Sequence, residues 1–333
     1  MQKTIIGLDI GHSAVKVVSV SAAGRREFMF PSVVIPAFSI SDEAEAARAA
    51  EETVGIGQRR FFVGETALVQ SCGNPPSLGL TNDWIETPEH SALIAGAAKK
   101  LEKLGVDLRS SLIVTGLPSA LHAHQKDRMR EVVRQQIPAE VLVAPQPLGP
   151  LQTLLLTASG TPSPAHDPLR ERWAVVEIGH FTTDFLLFQS GRMIEKASGS
   201  CGGIRLAAEH MQRLLNERNI QIDPFEAEQA LRDRHIKYFG KSLDVTEYAK
   251  QSIALIASEV MDTASRVLDP VARKLDGILV AGGGAPVIFS ELSLKWHHAT
   301  MVTAPRMAIA EGFCRLGLNI AQRTQNKKEV ASA

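Results

Sequence analysis

The sequence predicts an α/β protein built as two similar lobes, and three observations carry that prediction. The chain has 333 residues, more than one hydrophobic core usually organises. An acidic–Ile–Gly–His pattern occurs twice, at Asp9-Ile10-Gly11-His12 near the start and at Glu177-Ile178-Gly179-His180 at the start of the second half. Around both copies, apolar strand-like runs alternate with amphipathic helical stretches, the signature of layered α/β architecture.

Taken in order, Thr4–Leu8 and Val15–Val20 read as two strands around the first turn. Glu27–Ile35 reads as a third strand, and its prolines Pro31 and Pro36 suit an edge or a crossing between subdomains. Ser41–Glu52 is charged and Ala-rich, Arg59–Leu68 reads as a strand pair around Gly64-Glu65, and Cys72–Leu80 is turn-rich. Residues 28–86 thus form an inserted subdomain. Thr87-Pro88-Glu89 opens a helix, with Thr as N-cap and Pro in the first turn. That helix runs to about Gly105. A strand Ser111–Thr115, a helix Leu121–Gln136, a strand Glu140–Ala144 and an apolar helix within Gln146–Thr157 follow.

Ala158–Leu169, polar with two prolines, reads as the connection between lobes. The second lobe opens with strands on either side of the second turn, from Trp173 to Gln189, and a third strand through Met193–Ala197. Helices are expected at Gly203–Glu217, Pro224–Arg232 and Val245–Leu268. Strand Gly277–Ala281 runs into Gly282-Gly283-Gly284 and a further helix. Arg306–Leu316 is the last helix, and Gln322–Ala333 reads as a frayed polar tail. The division is lobe I at 1–157 with 306–333, a connecting loop at 158–169, and lobe II at 170–305 with an inserted helical subdomain at about 204–265.

Composition narrows the class. Lys plus Arg and Asp plus Glu are 36 each, so no global basic field exists for direct nucleic-acid binding. Cys72, Cys201 and Cys314 lack CxxC or Cys/His metal spacing and read as reduced thiols. The N-terminus enters a strand pattern by Thr4, without a signal-peptide core, and no apolar run approaches the ~20 residues that span a bilayer. A soluble cytoplasmic protein without a membrane partner is the expectation.

The chemistry concentrates at the repeated turns. An acidic residue at a strand end, a tight Gly turn and a return strand form a hairpin whose backbone N–H groups can surround a phosphate. Two such hairpins suggest one phosphate tail gripped from both sides. Carboxylates at Asp9 and Glu177 would repel that phosphate unless a divalent cation lay between, and Mg²⁺ is usually held through one or two carboxylates, waters and phosphate oxygens. The bland alternative is that each only caps its turn. The candidate phosphate contacts are Gly11, His12, Ser13, Gly179, His180 and Thr182. A His in such a turn more often satisfies backbone groups than holds a ligand. Lys16 can reach a β- or γ-phosphate or snorkel to the surface, and Asp184 takes the matching place in the second hairpin. Gly282-Gly283-Gly284 lies between a buried-looking strand and a helix, where only Gly lets the backbone pass close to a nucleotide. GxxxxGK[ST], GxSxG and HExxH are absent, as is GxGxxG after the first strand.

In order, these segments resemble the nucleotide-binding set of the actin, sugar kinase and Hsp70 superfamily. Asp9-Ile10-Gly11 with Lys16 looks like its first phosphate hairpin, and Glu177-Ile178-Gly179 with Thr182-Thr183-Asp184 like its second. Gln146 and the helix after it look like the first connecting segment. Leu279–Ala285 is similar to the adenosine motif, and Ala304–Phe313, with Ala310-Glu311-Gly312, to the second connecting helix. Within the superfamily the chain is most similar to the ParM/StbA plasmid-segregation type. Its length, Phe30-Pro31-Ser32, Phe62-Val63-Gly64-Glu65 and Thr115-Gly116-Leu117-Pro118 carry that likeness.

The resemblance implies a two-lobed actin-like (ribonuclease H-like) fold with ATP or ADP and Mg²⁺ in a central cleft. It implies ATP hydrolysis coupled to filament assembly by self-association. It also implies a centromere-binding adaptor, so that DNA is met only indirectly. By position, Asp9 and Glu177 would hold the hydrated Mg²⁺, Lys16 would bind phosphate and Gln146 would position the attacking water. Gly282 and Gly283 would line the nucleoside, with Gly202 and Gly203 on the other wall. Two departures stand out: Glu177 where the family usually has Asp, and Glu311 where many relatives have a small or amide residue. They imply slow turnover. A small-molecule kinase of the same superfamily and a non-hydrolysing scaffold are the alternatives. Against the kinase, neither Asp107, in a turn at a helix end, nor Asp184, in the second hairpin, is placed as a sugar-hydroxyl base. Against a membrane-associated scaffold, Gln322–Ala333 has no apolar face.

Overall fold

A computed structural model describes residues 3–72, 83–194 and 199–332, with side chains described to residue 327. The chain divides into two units, Met1–His166 with Ile309–Ala333, and Asp167–Ala308.

In the first unit, β1 (Thr4–Ile10), β2 (Ala14–Ser21) and β3 (Gly24–Pro31) form a meander. Strands β4 (Val34–Pro36), β5 (Thr53–Ile56) and β6 (Arg59–Val63) make a separate sheet in the order β4-β6-β5, with helices α1 (Glu43–Glu51) and α2 (Glu65–Gln70). Helix α3 (Pro88–Lys103), strand β7 (Ser111–Leu117), helix α4 (Ser119–Gln136), strand β8 (Glu140–Pro145) and helix α5 (Leu148–Leu155) follow. The main sheet runs β3-β2-β1-β7-β8, with β7 and β8 parallel to β1. Every residue of β1 and β7 is buried, as expected for strands covered on both faces. Ile6, Leu8, Val15, Val17, Leu93, Ile94, Ile113 and Val133 centre the core.

The second unit repeats the plan. Strands β9 (Arg172–Ile178), β10 (Thr182–Gln189), β11 (Arg192–Met193) and β12 (Gly199–Gly202) are followed by helices α6 (Arg205–Asn216) and α7 (Pro224–Asp233). A hairpin β13 (His235–Tyr238) and β14 (Lys241–Asp244) leads to α8 (Thr246–Leu268), β15 (Gly277–Ala281), α9 (Ala285–Lys295) and β16 (Ala299–Met301). Its main sheet runs β11-β10-β9-β15-β16, with β12 also on β10. The final helix, α10 (Ala308–Ser332), belongs almost wholly to the first unit. No helix among the described residues is long and apolar enough to cross a membrane.

Several helix starts follow from sequence alone. Thr87 accepts from His90 N at 3.1 Å beside Pro88, and Asp223 forms a capping box with Glu226 before Pro224. Other expectations need correction. Glu27–Ile35 is two strands in two sheets, broken at Ser32, whose N–H and hydroxyl are spent on Ser13 O and Gly11 O. Arg59–Leu68 is a strand followed by a helix: Gly64 has a φ of 70° and turns the chain out of β6. The stretch Gln322–Ala333 continues α10 to Ser332 instead of fraying. Strand β11 ends at Met193, and the rest of the strand expected there, residues 195–197, lies outside the described residues, as does most of the turn-rich Cys72–Leu80.

Candidate functional site

The first hairpin places Asp9 opposite Lys16 in the antiparallel register of β1 and β2. Asp9 is almost fully buried, and a buried carboxylate must be paired to remain charged. It is paired twice. Lys16 Nζ donates to Oδ2 at 2.9 Å, and Gln146 Nε2 donates to Oδ1 at 3.2 Å. Gln146 arrives from the end of β8, fixed by its own N–H to Leu117 O at 2.8 Å. Gly11 leaves room for the lysine, since a Cβ there would lie 2.8 Å from Lys16 Nζ. His12 stacks on Trp84 with ring centroids 4.6 Å apart, and Trp84 meets the buried His90 edge-on. Burial alone holds the His90 imidazole down at about 3, so it stays neutral. The structure therefore brings Asp9, Gly11, Lys16 and Gln146 together and sets His12 against an aromatic face.

The second hairpin is closed by Gly179 N to Thr182 O at 2.8 Å. Glu177 faces Asp184 in the ladder, where the first hairpin pairs an acid with a lysine. Both acids are buried, and Thr182 Oγ1 donates to Asp184 Oδ2 at 2.8 Å. Gly203 lies against this turn: its N–H donates to Phe181 O at 2.8 Å, and a Cβ would fall 2.5 Å from His180 O. Gly202 donates to Glu259 Oε1 at 2.8 Å and accepts from Thr183 Oγ1. These two glycines thus seat the hairpin.

The triple glycine abuts the same turn. Gly282 has a φ of 93°, and a Cβ on it would strike Ile178 O and lie 2.5 Å from Glu177 Oε1. Gly284 N donates to Ile178 O at 2.9 Å, and its Cβ would meet the Ile178 side chain. Gly283 alone has space, its nearest neighbour being the Arg306 side chain at 3.9 Å from the Cβ position. His180 turns its Nδ1 to Glu228 Oε2 at 2.6 Å, and Arg232 holds Glu228 Oε1 at 3.2 Å. Burial pushes the Glu228 carboxyl up, but His180 and then Arg232 outweigh it and bring it down to about 2.

Sequence reasoning missed Trp84, Glu228, Arg232 and Arg306. The i,i+4 spacing of Glu228 and Arg232 on one helix was the only signal available. Glu311, singled out as a departure, accepts from Arg25 and, at 2.6 Å, from Arg315 Nε. Arg315 in turn donates to Thr153 O and Leu156 O, so Glu311 organises the packing of α10 on α5.

Residues 7–149 match the family described as actin-like proteins, N-terminal domain. Residues 175–294 match the C-terminal domain of the archaeal actin homologue, MreB-like, family. Each half of the chain thus carries an actin-like domain. A search of curated protein sequences finds no match. Among solved structures, the actin-like chain is similar to a 15-stranded ParM filament from Clostridium botulinum, at 18% identity and a TM-score of 0.76 over 95% of this chain and 99% of that one. It is similar to the archaeal actin homologue Ta0583 in complex with ADP, at 18% identity and a TM-score of 0.67 over 96% and 99% of the two chains. It is also similar to MreB5 of Spiroplasma citri bound to ADP, at 15% identity and a TM-score of 0.65 over 98% and 99%. At these identities the likeness concerns the fold.

The donor set of the actin-like chain bears on what metal it can take. No group of three or more His, Cys, Asp and Glu placed to hold an ion exists among the described residues. A hydrated divalent cation carried mainly by phosphate and water needs no more than one or two protein carboxylates. Asp9 keeps unused lone pairs on both oxygens for such waters. Gly283, with the one open Cβ position of its turn, suits a ligand passing close to the backbone.

Proposed function

We propose that this chain is an actin-like ATPase that binds ATP with Mg²⁺ and assembles into nucleotide-dependent filaments. In this reading it is cytoplasmic, of the ParM/StbA type, and moves plasmid DNA through a centromere-binding adaptor. The observation that carries the reading is the Asp9–Lys16–Gln146 cluster at the first hairpin. A buried carboxylate, a cation and an amide from three separate elements meet where a phosphate-binding turn needs them. The two actin-like domain matches and filament-forming structural relatives support assembly.

In this mechanism the hairpin N–H groups of Gly11–Ser13 and Gly179–Thr182 cradle the phosphates, and Gly282–Gly284 passes along the nucleoside. Mg²⁺, when bound, neutralises phosphate charge during transfer to water. Asp9 and Glu177 would hold it through water. Lys16 leaves its contact with Asp9 to meet phosphate as a point charge. Because Gln146 spends its Nε2 on Asp9, its Oε1 remains to accept a hydrogen bond from the attacking water and align it. Glu177 carries one methylene more than Asp, and a displacement of about an ångström can cost on the order of a hundredfold in rate. Turnover is therefore slow.

Electron microscopy and light scattering of the purified protein, with and without ATP and Mg²⁺, test this. Filaments are expected only with nucleotide, and phosphate release is expected to rise on Glu177→Asp with nucleotide affinity unchanged. A protein that binds ATP but stays monomeric at high concentration sinks the filament reading.

A further inference from the structure

The tip of hairpin β13–β14 carries a side chain that serves the fold poorly. Its two-residue link, Phe239-Gly240, has φ of 46° and 78°, positive at both positions as an I′ turn requires. Such a turn favours Asn or Gly at its first position, and a bulky residue with positive φ is strained there. Phe239 is also 90% exposed, the most exposed large hydrophobic side chain among the described residues. Its ring is nonetheless held in place. It meets Tyr238 edge-on with centroids 4.6 Å apart, and Tyr238 Oη donates to Asn219 O at 3.0 Å. Lys237 and Lys241 flank the link, both exposed and neither with an ion-pair partner among the described residues. The hairpin thus ends in a preorganised aromatic knob between two cations.

The first unit has a hollow of about 270 Å³ between α1 and the β4-β6-β5 sheet. Phe38, Ile40, Ala46, Ala49 and Phe62 give it an apolar lining, and Arg60 is the one charged residue on its wall. Phe38 is half-exposed and stands edge-on to Phe62 with centroids 5.3 Å apart, which leaves an aromatic surface open to a further ring. Between Ile40 and Ala46 the chain carries Asp42, Glu43 and Glu45. Asp42 caps α1 and Glu45 is paired with Arg48, whereas Glu43 is exposed and has no partner among the described residues.

We propose that Phe239 of one copy enters the hollow beside Phe38 of a second copy, with Lys237 or Lys241 meeting Glu43 at its rim. The inference rests on the filament reading above and adds the surfaces that touch. Their chemistry is complementary: an exposed ring meets an aromatic wall, unpaired cations meet an unpaired acid, and Arg60 supplies a cation for the face of the incoming ring. Knob and hollow belong to different units of the chain, so the contact is heterologous. Each copy can then offer its knob to one neighbour and its hollow to another, which extends into an open filament wherever the rotation does not close a ring. Removing the Phe239 ring from water on assembly offsets the strain that the turn carries in the free subunit.

Pelleting and light scattering with ATP and Mg²⁺ over a range of protein concentrations test the contact, with thermal melts of each unassembled protein. Phe239→Asn is expected to raise the critical concentration by about tenfold or more, as loss of a buried aromatic anchor does. The same variant should melt at or above the wild-type temperature, since Asn suits the turn better than Phe. Lys237→Glu with Lys241→Glu is expected to raise the critical concentration about two- to fivefold, the range of a rim ion pair. Adding Glu43→Lys to that protein should bring it back toward wild type. Wild-type assembly by Phe239→Asn would overturn the proposal, and if that variant also lost flotation on anionic phospholipid vesicles the knob would belong to a membrane. A lower melting temperature that accounts for its weaker assembly, or no recovery on adding Glu43→Lys, would also overturn it. A wild type that stays monomeric at high concentration would refute the filament reading, and the contact would fall with it.

Discussion

Glu228 shows how one residue couples stability to the geometry of the second hairpin. Its carboxylate is buried, touches His180 of the turn and Arg232 of its own helix, and titrates at about 2 instead of 4.5. A folded-state value below the unfolded one stabilises the fold above the unfolded pKa, and that contribution fades as pH falls toward the folded value. At 1.36 kcal/mol per unit the contribution is on the order of 3 kcal/mol at neutral pH. Glu228→Gln is therefore expected to lower unfolding stability by this order between pH 5 and 7, with the gap closing as pH drops from about 4.5 to 2. Urea unfolding of both proteins across that range measures it; a gap that persists at pH 2 would mean the loss is one of packing. None of this was legible in the sequence. The repeated turn announced His180, but its partner lies 48 positions away on a helix whose orientation only the fold sets.

The seating of α10 shows what sequence conveys about elements and where it stops. Ala310-Glu311-Gly312 is readable as a helix with small residues, but the reason for them is tertiary. A Cβ on Gly312 would lie 2.8 Å from Gly149 Cα, one on Gly149 would lie 2.6 Å from Ile309 Cα, and one on Gly7 would lie 2.6 Å from Cys314 N. Helix α10 thus packs backbone to backbone on β1 and α5, and Cys314 is sealed beneath it, its thiol pushed up to about 12 chiefly by burial. Gly312→Val should force these backbones apart and destabilise the first unit by about 1–3 kcal/mol, in line with other overpacked cores. Thiol labelling reads the outcome directly: exposed Cys72 reacts in both proteins, and Cys314 should become reactive only in the variant. Unchanged protection of Cys314 would refute the tight seat. The same logic explains the misread α2. Its first turn is capped by Glu52 Oε2 accepting from Thr66 N at 2.7 Å, a bond from another element that no local pattern reveals. Hairpin β13–β14 interrupts the inserted subdomain expected to be helical and was missed, although Phe239 and Gly240 both have positive φ and a Gly-containing two-residue link between short runs is a hairpin signal. Strand β12, with Gly at both ends, has no strand propensity and exists because β10 pairs with it.

At the scale of the whole molecule, charge decides how the protein can meet nucleic acid. Acidic and basic side chains are equal in number, 36 each. Many surface cations are also matched locally: Lys103 by Glu51, Arg128 by Glu86 and Glu131, Arg130 by Asp127, and Lys295 by Asp269. Binding to duplex DNA gains its sequence-independent affinity by releasing counterions as cations neutralise phosphates. A surface whose cations already face carboxylates gains little from that exchange, so each subunit alone should bind DNA weakly. Assembly could amplify even a weak contact, because linked copies bind as one multivalent body. The informative comparison is therefore fluorescence anisotropy of a random duplex at about 150 mM salt, with and without nucleotide. No retention is expected in either condition, and the logarithm of any residual affinity should depend on the logarithm of salt with a slope near zero. A slope of several units would reveal a basic track that the charge balance hides. Retention appearing only with nucleotide would mean that the proposed assembly itself holds DNA.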